Sequence, residues 1–153
     1  MNIKIISIRK SDNKLIDALE DDYLKRFHRY ARVDLINIRR SQIGGQRFRK
    51  NTEFKNIESF VHKADYSVFL TDSGKQFTSE EFSALLERNV HSGKGTMTFF
   101  IGGPLGFPPE LIQQADCAMS LSRMTMPHKL VRLFLIEALY RAFDIMHDGP
   151  YHK

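Results

Sequence analysis

The six residues Thr96–Ile101, TMTFFI, are apolar at almost every position, so side chains on both faces of the strand they form must meet hydrocarbon. Such a strand belongs in the middle of a sheet covered on both sides, the usual setting of parallel sheets whose crossover helices lie over each face. The rest of the chain supplies matching parts. Asn2–Ile8, with Ile3, Ile5, Ile6 and Ile8, and Val33–Ile38 are two further β-branched runs. Between them Leu15, Ile16, Leu19, Tyr23, Leu24 and Phe27 recur at helical spacing, behind Ser11, Asp12 or Asn13 as a cap. Tyr66–Leu70 reads as a short buried strand that ends in the turn residues Thr71, Asp72, Ser73 and Gly74. Thr78 and Glu81 form a capping box for a helix running to about Asn89, which Gly93 and Gly95 break. After a loop at Arg39–Thr52 comes a short helix through Phe54, Ile57 and Val61; Pro108 and Pro109 suit the first turn of another through Leu111, Ile112 and Ala115. Cys117–Leu121 is the last strand. This alternation predicts an α/β fold, a mostly parallel sheet flanked by helices.

With 153 residues and no visible repeat, low-complexity tract or linker, residues 1–153 are expected to form one domain. The single cysteine, Cys117, excludes an internal disulfide and a CxxC metal cage, and no HExxH-type spacing joins the histidines, so no metal is expected. The opening MNIKIISIRKSDN is too short for a signal segment. No stretch approaches the roughly 18 apolar residues that span a bilayer, and a cytoplasmic protein without membrane contact is expected.

The final helix, from near Pro127 to about Ile145, is apolar around most of its circumference, interrupted by Arg132, Glu137, Arg141 and Asp144. A single sheet covers one face of a helix, so the excess predicts a homodimer formed through it. The net charge of +5 favours polyanionic partners, and the basic residues Arg39, Arg40, Arg47, Arg49 and Lys50 cluster in RRSQIGGQRFRK with no acid among them. That segment is either a solvated loop or a contact for RNA phosphates.

Three strand ends carry small or irregular residues: Leu70–Gly74, Gly102–Gly106 and Leu121–Met126. In an open α/β sheet, ligands gather at the carboxyl ends of strands, so these three could share one crevice. IGGPLG is neither a P-loop nor GxGxxG, which leaves a tight turn or a loop that lets backbone approach a ligand. The methionine-rich LSRMTMPH, with apolar side chains and free backbone groups, suits an adenine ring and a thioether better than a phosphate. The tail HDGPYHK either frays or folds over a site, where Tyr151 could stack on a base and His152 handle a proton. His28, His62, His91 and His147 read as solvated, and Cys117 as a small core residue.

VFLTDSGK, FFIGGPLG, LSRMTMPHKLVRLFLIEALYRAF and the terminal PYHK together resemble the RlmH family of SPOUT-class methyltransferases over nearly the full length. The resemblance implies S-adenosylmethionine-dependent methylation of N3 of a pseudouridine in large-subunit (23S) ribosomal RNA. It also implies an α/β fold with a deep C-terminal trefoil knot, which patterning alone excludes on priors, and a homodimer with cofactor sites beside the interface. The family's cofactor contacts fall on Leu70, Gly102, Leu121, Ser122, Arg123, Met124, Thr125 and Met126. Its tail motif falls on Tyr151 and His152, as catalytic residues closing over the partner subunit's site, and its helix pattern includes Glu137 and Arg141. Leu105 departs from relatives that carry a polar residue there. A domain this small has little surface for reading sequence, so an assembled ribosome is the expected RNA substrate. A non-catalytic RNA or ribosome binder and a SPOUT enzyme acting on transfer RNA are the competing readings.

Overall fold

The computed structural model describes residues 1–9, 13–39, 57–103 and 106–152, with only the backbone of Arg9, Arg39 and His128. Five strands form one sheet: β1 (Asn2–Arg9), β2 (Arg32–Arg39), β3 (Tyr66–Lys75), β4 (Thr96–Ile101) and β5 (Cys117–Met119). Their order is β2-β1-β4-β3-β5 and every pairing is parallel. The apolar TMTFFI strand therefore lies at the centre, where Phe99 and Phe100 point to opposite faces and both are fully buried.

On one face pack α1 (Lys14–Phe27), α2 (Ser79–His91) and α4 (His128–Met146), whose side chains join Ile3, Ile5, Val68, Met97 and Phe99 in the larger core. The other face is covered by helical residues 57–61 and the short α3 (Pro109–Ile112), over Ile6, Ile8, Phe69, Phe100 and Phe107. Local chemistry sets the helix starts. The Asn13 side chain accepts from the amides of Leu15 and Ile16, and Thr78 and Glu81 exchange hydrogen bonds of 2.8 and 3.1 Å. Because α4 is clasped by α1 and α2 as well as the sheet, most of its wide apolar surface is spent within the chain. Leu130 and Phe134 remain 43% and 44% exposed.

The strand expected to stop at Leu70 continues to Lys75, and the strand expected to reach Leu121 ends at Met119. Both differences have one cause. Leu70 and Lys75 are each in register with Met119, so β3 leaves the ladder, spends four residues outside it and rejoins at the same rung, where the Ser120 amide donates to the Lys75 carbonyl at 2.9 Å. Gly74 makes this possible: a Cβ there would lie 2.5 Å from the Met119 carbonyl carbon. Asp116 anchors the other end of β5, accepting from the Ser67 amide at 2.7 Å and from the Ser67 hydroxyl at 2.9 Å.

Candidate functional site

The carboxyl ends of β4, β3 and β5 lie side by side. Leu70 occupies the middle of the last shared rung, opposite Ile101 on one side and Met119 on the other. Just beyond that rung the three loops diverge around a cavity of about 550 Å³. Leu70, Thr71, Asp72 and Ser73 line it from β3; Gly102, Gly103 and Gly106 from β4; Ser120, Leu121, Ser122, Met124, Thr125 and Met126 from β5. Phe107, Ile112 and Val131 complete the apolar part of the wall. The structure thus brings the three strand ends together, including seven of the eight residues on which the resemblance places cofactor contacts. Arg123 is the exception; it is exposed and lies off the wall.

Packing and hydrogen bonds shape this wall. A Cβ on Gly102 would come to 3.0 Å from the Phe107 ring and 3.2 Å from the Gly106 backbone, so a side chain there would press on both. Gly106 has φ +63° and its amide donates to the Gly103 carbonyl at 2.9 Å, holding these two glycines together. The Ser120 hydroxyl donates to the Ser122 carbonyl at 2.8 Å, and the Ser122 hydroxyl accepts from the Met124 amide at 3.0 Å. The result is a pocket of apolar side chains, peptide groups and small hydroxyls, of the size and character that accept a nucleoside-sized ligand. Among the described wall residues Asp72 is the one ionisable side chain.

Tyr151 and His152 are not on this wall. The tail turns back at the end of α4, where the amides of Asp148 and Gly149 donate to Ile145 and Asp144 at 3.1 and 2.8 Å and Asp148 takes φ +52°, a Schellman ending with Asp in the usual glycine place. It then folds against α1, α2 and α4. The buried Asp144 carboxylate accepts from the Tyr151 and His152 amides at 2.8 and 3.3 Å, from the Tyr30 hydroxyl at 2.8 Å and from Arg29 at 3.4 Å. Burial pushes this carboxyl up, but those bonds and the Arg29 charge outweigh it and hold it below its ordinary value.

Three of the candidate residues, Tyr151, Glu137 and Arg141, form one cluster there. The Tyr151 hydroxyl donates to Glu137 at 3.0 Å and lies 3.2 Å from that of Tyr23; Arg141 binds the same Glu137 and sits 4.8 Å from the Tyr151 ring. Burial first, then the Tyr23 and Glu137 bonds, push the Tyr151 phenol far up, so it stays a neutral hydroxyl. The His152 Nε2 lies 2.9 Å from Glu80, and its Nδ1 is buried without a partner among the described residues. Of the basic candidates, Arg40, Arg47, Arg49 and Lys50 lie outside the described residues, as does Leu105; of Arg39 only the backbone is described, at the end of β2. Cys117 is partly buried, and burial pushes its thiol up, away from the thiolate.

Sequence reasoning passed over a second polar cluster. Arg132, 6% exposed, binds both oxygens of Glu20, 2% exposed, and reaches Asn37 at 2.6 Å and Ser7 at 3.4 Å. It fastens the first turns of α4, which lack a side-chain cap, to α1, β1 and β2, one residue from the cavity-lining Val131. The available signal is an arginine within the apolar first half of the helix.

Comparison with known proteins places this geometry in a family. A family model described as "Predicted SPOUT methyltransferase" matches residues 1–152. A protein of Flavobacterium johnsoniae named ribosomal RNA large subunit methyltransferase H is 41% identical over 155 residues, covering 99% of both chains. One of the same name from Clostridium botulinum is 36% identical over 159 residues, covering all of both. Among solved structures, a methylase family protein of Haemophilus influenzae superposes with a TM-score of 0.61 at 13% identity, over 99% of this chain and 70% of its own. A Legionella pneumophila protein described as a methyltransferase in complex with SAM gives 0.52 at 11% identity, over 93% of this chain and 66% of its own. At these identities the structural likeness speaks for the fold.

Proposed function

This chain belongs to the SPOUT methyltransferases, and on that premise we propose that it transfers a methyl group from S-adenosylmethionine to N3 of a pseudouridine in large-subunit ribosomal RNA, acting on the assembled ribosome. The observation that carries the reading is the convergence of Leu70, Gly102, Leu121, Ser122, Met124, Thr125 and Met126 on one cavity in a chain 36–41% identical to proteins named for this RNA. S-adenosylmethionine supplies, when bound, a methyl group on a sulfonium that leaves readily as a thioether. The protein's share is alignment and proton management. The apolar wall of Leu70, Met126 and Val131 takes the adenine ring, Gly102 lets the backbone approach, and the peptide groups of Leu121–Thr125 hold the polar edge.

His152 accepts the N3 proton, directly or through water; Tyr151, held by Glu137 and Arg141, packs against the base; Arg123 and the Arg39–Lys50 segment meet RNA phosphate. Since Tyr151 and His152 stand off their own chain's cavity, the reading places them over the partner subunit's cavity in a homodimer. Leu130 and Phe134 on α4 with Leu15 and Leu19 on α1, exposed by 43%, 44%, 79% and 52%, supply an apolar face for it. The deep C-terminal knot belongs to the same reading.

The test is transfer of label from methyl-labelled S-adenosylmethionine to assembled ribosomes, free large subunits or naked ribosomal RNA taken from a strain lacking the activity, followed by mapping. Label at N3 of one pseudouridine, mainly in assembled ribosomes, is expected. Label in transfer RNA, or cofactor binding with no transfer to any RNA, overturns the assignment. A monomer by light scattering at micromolar concentration removes the partner-subunit role of the tail.

A further inference from the structure

Asp72 is the one ionisable side chain on the described cavity wall, and it is exposed, with no hydrogen bond or ion pair to another described residue. Its placement is built into the ladder. Leu70 and Lys75 both pair with Met119, so Thr71–Gly74 are spare residues, and the close packing of Gly74 on the Met119 backbone pinches their base. The excursion must stand out over the cavity, carrying a carboxylate to a wall that is otherwise apolar side chains, peptide groups and hydroxyls. In a chain of net charge +5 this is a local reversal of sign. An unneutralised carboxylate facing a nucleoside-sized pocket attracts positive charge there and repels negative charge.

We propose that Asp72 recognises the positive charge of the methyl donor and so sets the site's preference among sulfur-linked adenosine ligands by charge. The inference rests on the proposed use of S-adenosylmethionine and assigns one of its determinants. Three probes separate the possibilities: S-adenosylmethionine carries sulfonium, ammonium and carboxylate, S-adenosylhomocysteine the ammonium and carboxylate without the sulfonium, and 5′-methylthioadenosine none of these, while all three share the adenosine.

The experiment is calorimetric titration of wild type and Asp72→Asn with each probe, at low and high salt. Asn keeps the shape and removes the charge, and an unchanged melting temperature shows that the exposed excursion still folds. Asp72→Asn is expected to weaken S-adenosylmethionine about tenfold at low salt, less at high salt, and to leave 5′-methylthioadenosine unchanged. S-adenosylhomocysteine then locates the charge: a parallel loss puts Asp72 on the ammonium, and an unchanged value puts it on the sulfonium, so that losing the methyl also loosens the product. Equal weakening of all three probes, as a ribose contact or a distorted wall would give, overturns the inference, and so does no weakening at all. If wild type binds none of the probes, the cofactor reading itself falls and this inference with it.

Discussion

Replacing Arg132 by Met removes one partner of a buried pair and leaves the other in place. Glu20, 2% exposed, would lose its bidentate cation with no route to water, and Asn37 and Ser7 would lose the Nη1 donor they share. Breaking a buried pair from one side costs roughly 3–5 kcal/mol, chiefly from the stranded charge. In a domain of this size 1 kcal/mol moves the melting temperature by about 2–4 °C, so a fall on the order of 10 °C is expected. Glu20→Leu should cost less, because Arg132 keeps Asn37 at 2.6 Å and has Asp17 at 3.7 Å. Glu20→Leu with Arg132→Met replaces the pair by hydrocarbon and should recover most of the loss, giving a coupling of about 2 kcal/mol or more in a double-mutant cycle. The measurement is urea unfolding of all four proteins at 0.1 and 1 M salt, and the coupling should survive the higher salt because the pair is shielded from ions. Strict additivity, or a single-variant loss under about 1 kcal/mol, would refute the idea that these charges hold α4 in place.

Other outcomes can be measured independently. Gly149→Ala would put a Cβ 2.1 Å from Asp144 Oδ1, a carboxylate already fixed on both oxygens, so the tail should detach, seen as rapid exchange of the Tyr151 and His152 amides. Gly74→Ala, with its Cβ 2.5 Å from the Met119 backbone, should destabilise by about 3 kcal/mol, whereas Gly93→Ala meets no neighbour and should cost about 1 kcal/mol for its positive φ. The lowered Asp144 carboxyl contributes stability that is full above its unfolded value of 3.8 and is lost as pH falls through its lower native value. Tail protection should therefore be flat from neutral pH down to about 4 and collapse below, and Asp144→Asn should abolish that dependence. His152→Ala should cut turnover far more than affinity for S-adenosylmethionine; equal loss of both would make the tail structural. Replacing Arg47 and Arg49 by Ala should weaken ribosome binding and flatten its salt dependence, and an unchanged slope would remove that segment from the RNA contact.

The parts of this fold that were legible in sequence are those decided locally. TMTFFI declared a central strand because burial on both faces needs no partner information, and the Thr78–Glu81 box marked a helix start that the structure reproduces bond for bond. The cavity was legible as three unusual strand ends, although only the sheet order made them adjacent. What escaped depends on pairing across long separations. No pattern within VFLTDSGK tells that Leu70 and Lys75 will face one residue of a distant strand, so the excursion read as an ordinary turn. The width of the apolar surface on α4 was read as a subunit interface because one sheet seemed its only cover, while α1 and α2 take most of it. Arg132 and Asp144 looked like breaks in that surface, and their partners lie on other elements.

The separation between Glu20 and Arg132, 112 residues, also has a meaning in time. Synthesis proceeds at about 5–20 residues per second, so Glu20 exists for on the order of ten seconds before its arginine has been made. During that interval α1 has no α4 to cover it, and the strand edge that β5 will close is still open. A nascent chain of this protein is thus committed to waiting, with core side chains in water, for α4 to arrive. Any pause in translating α4 lengthens that exposure.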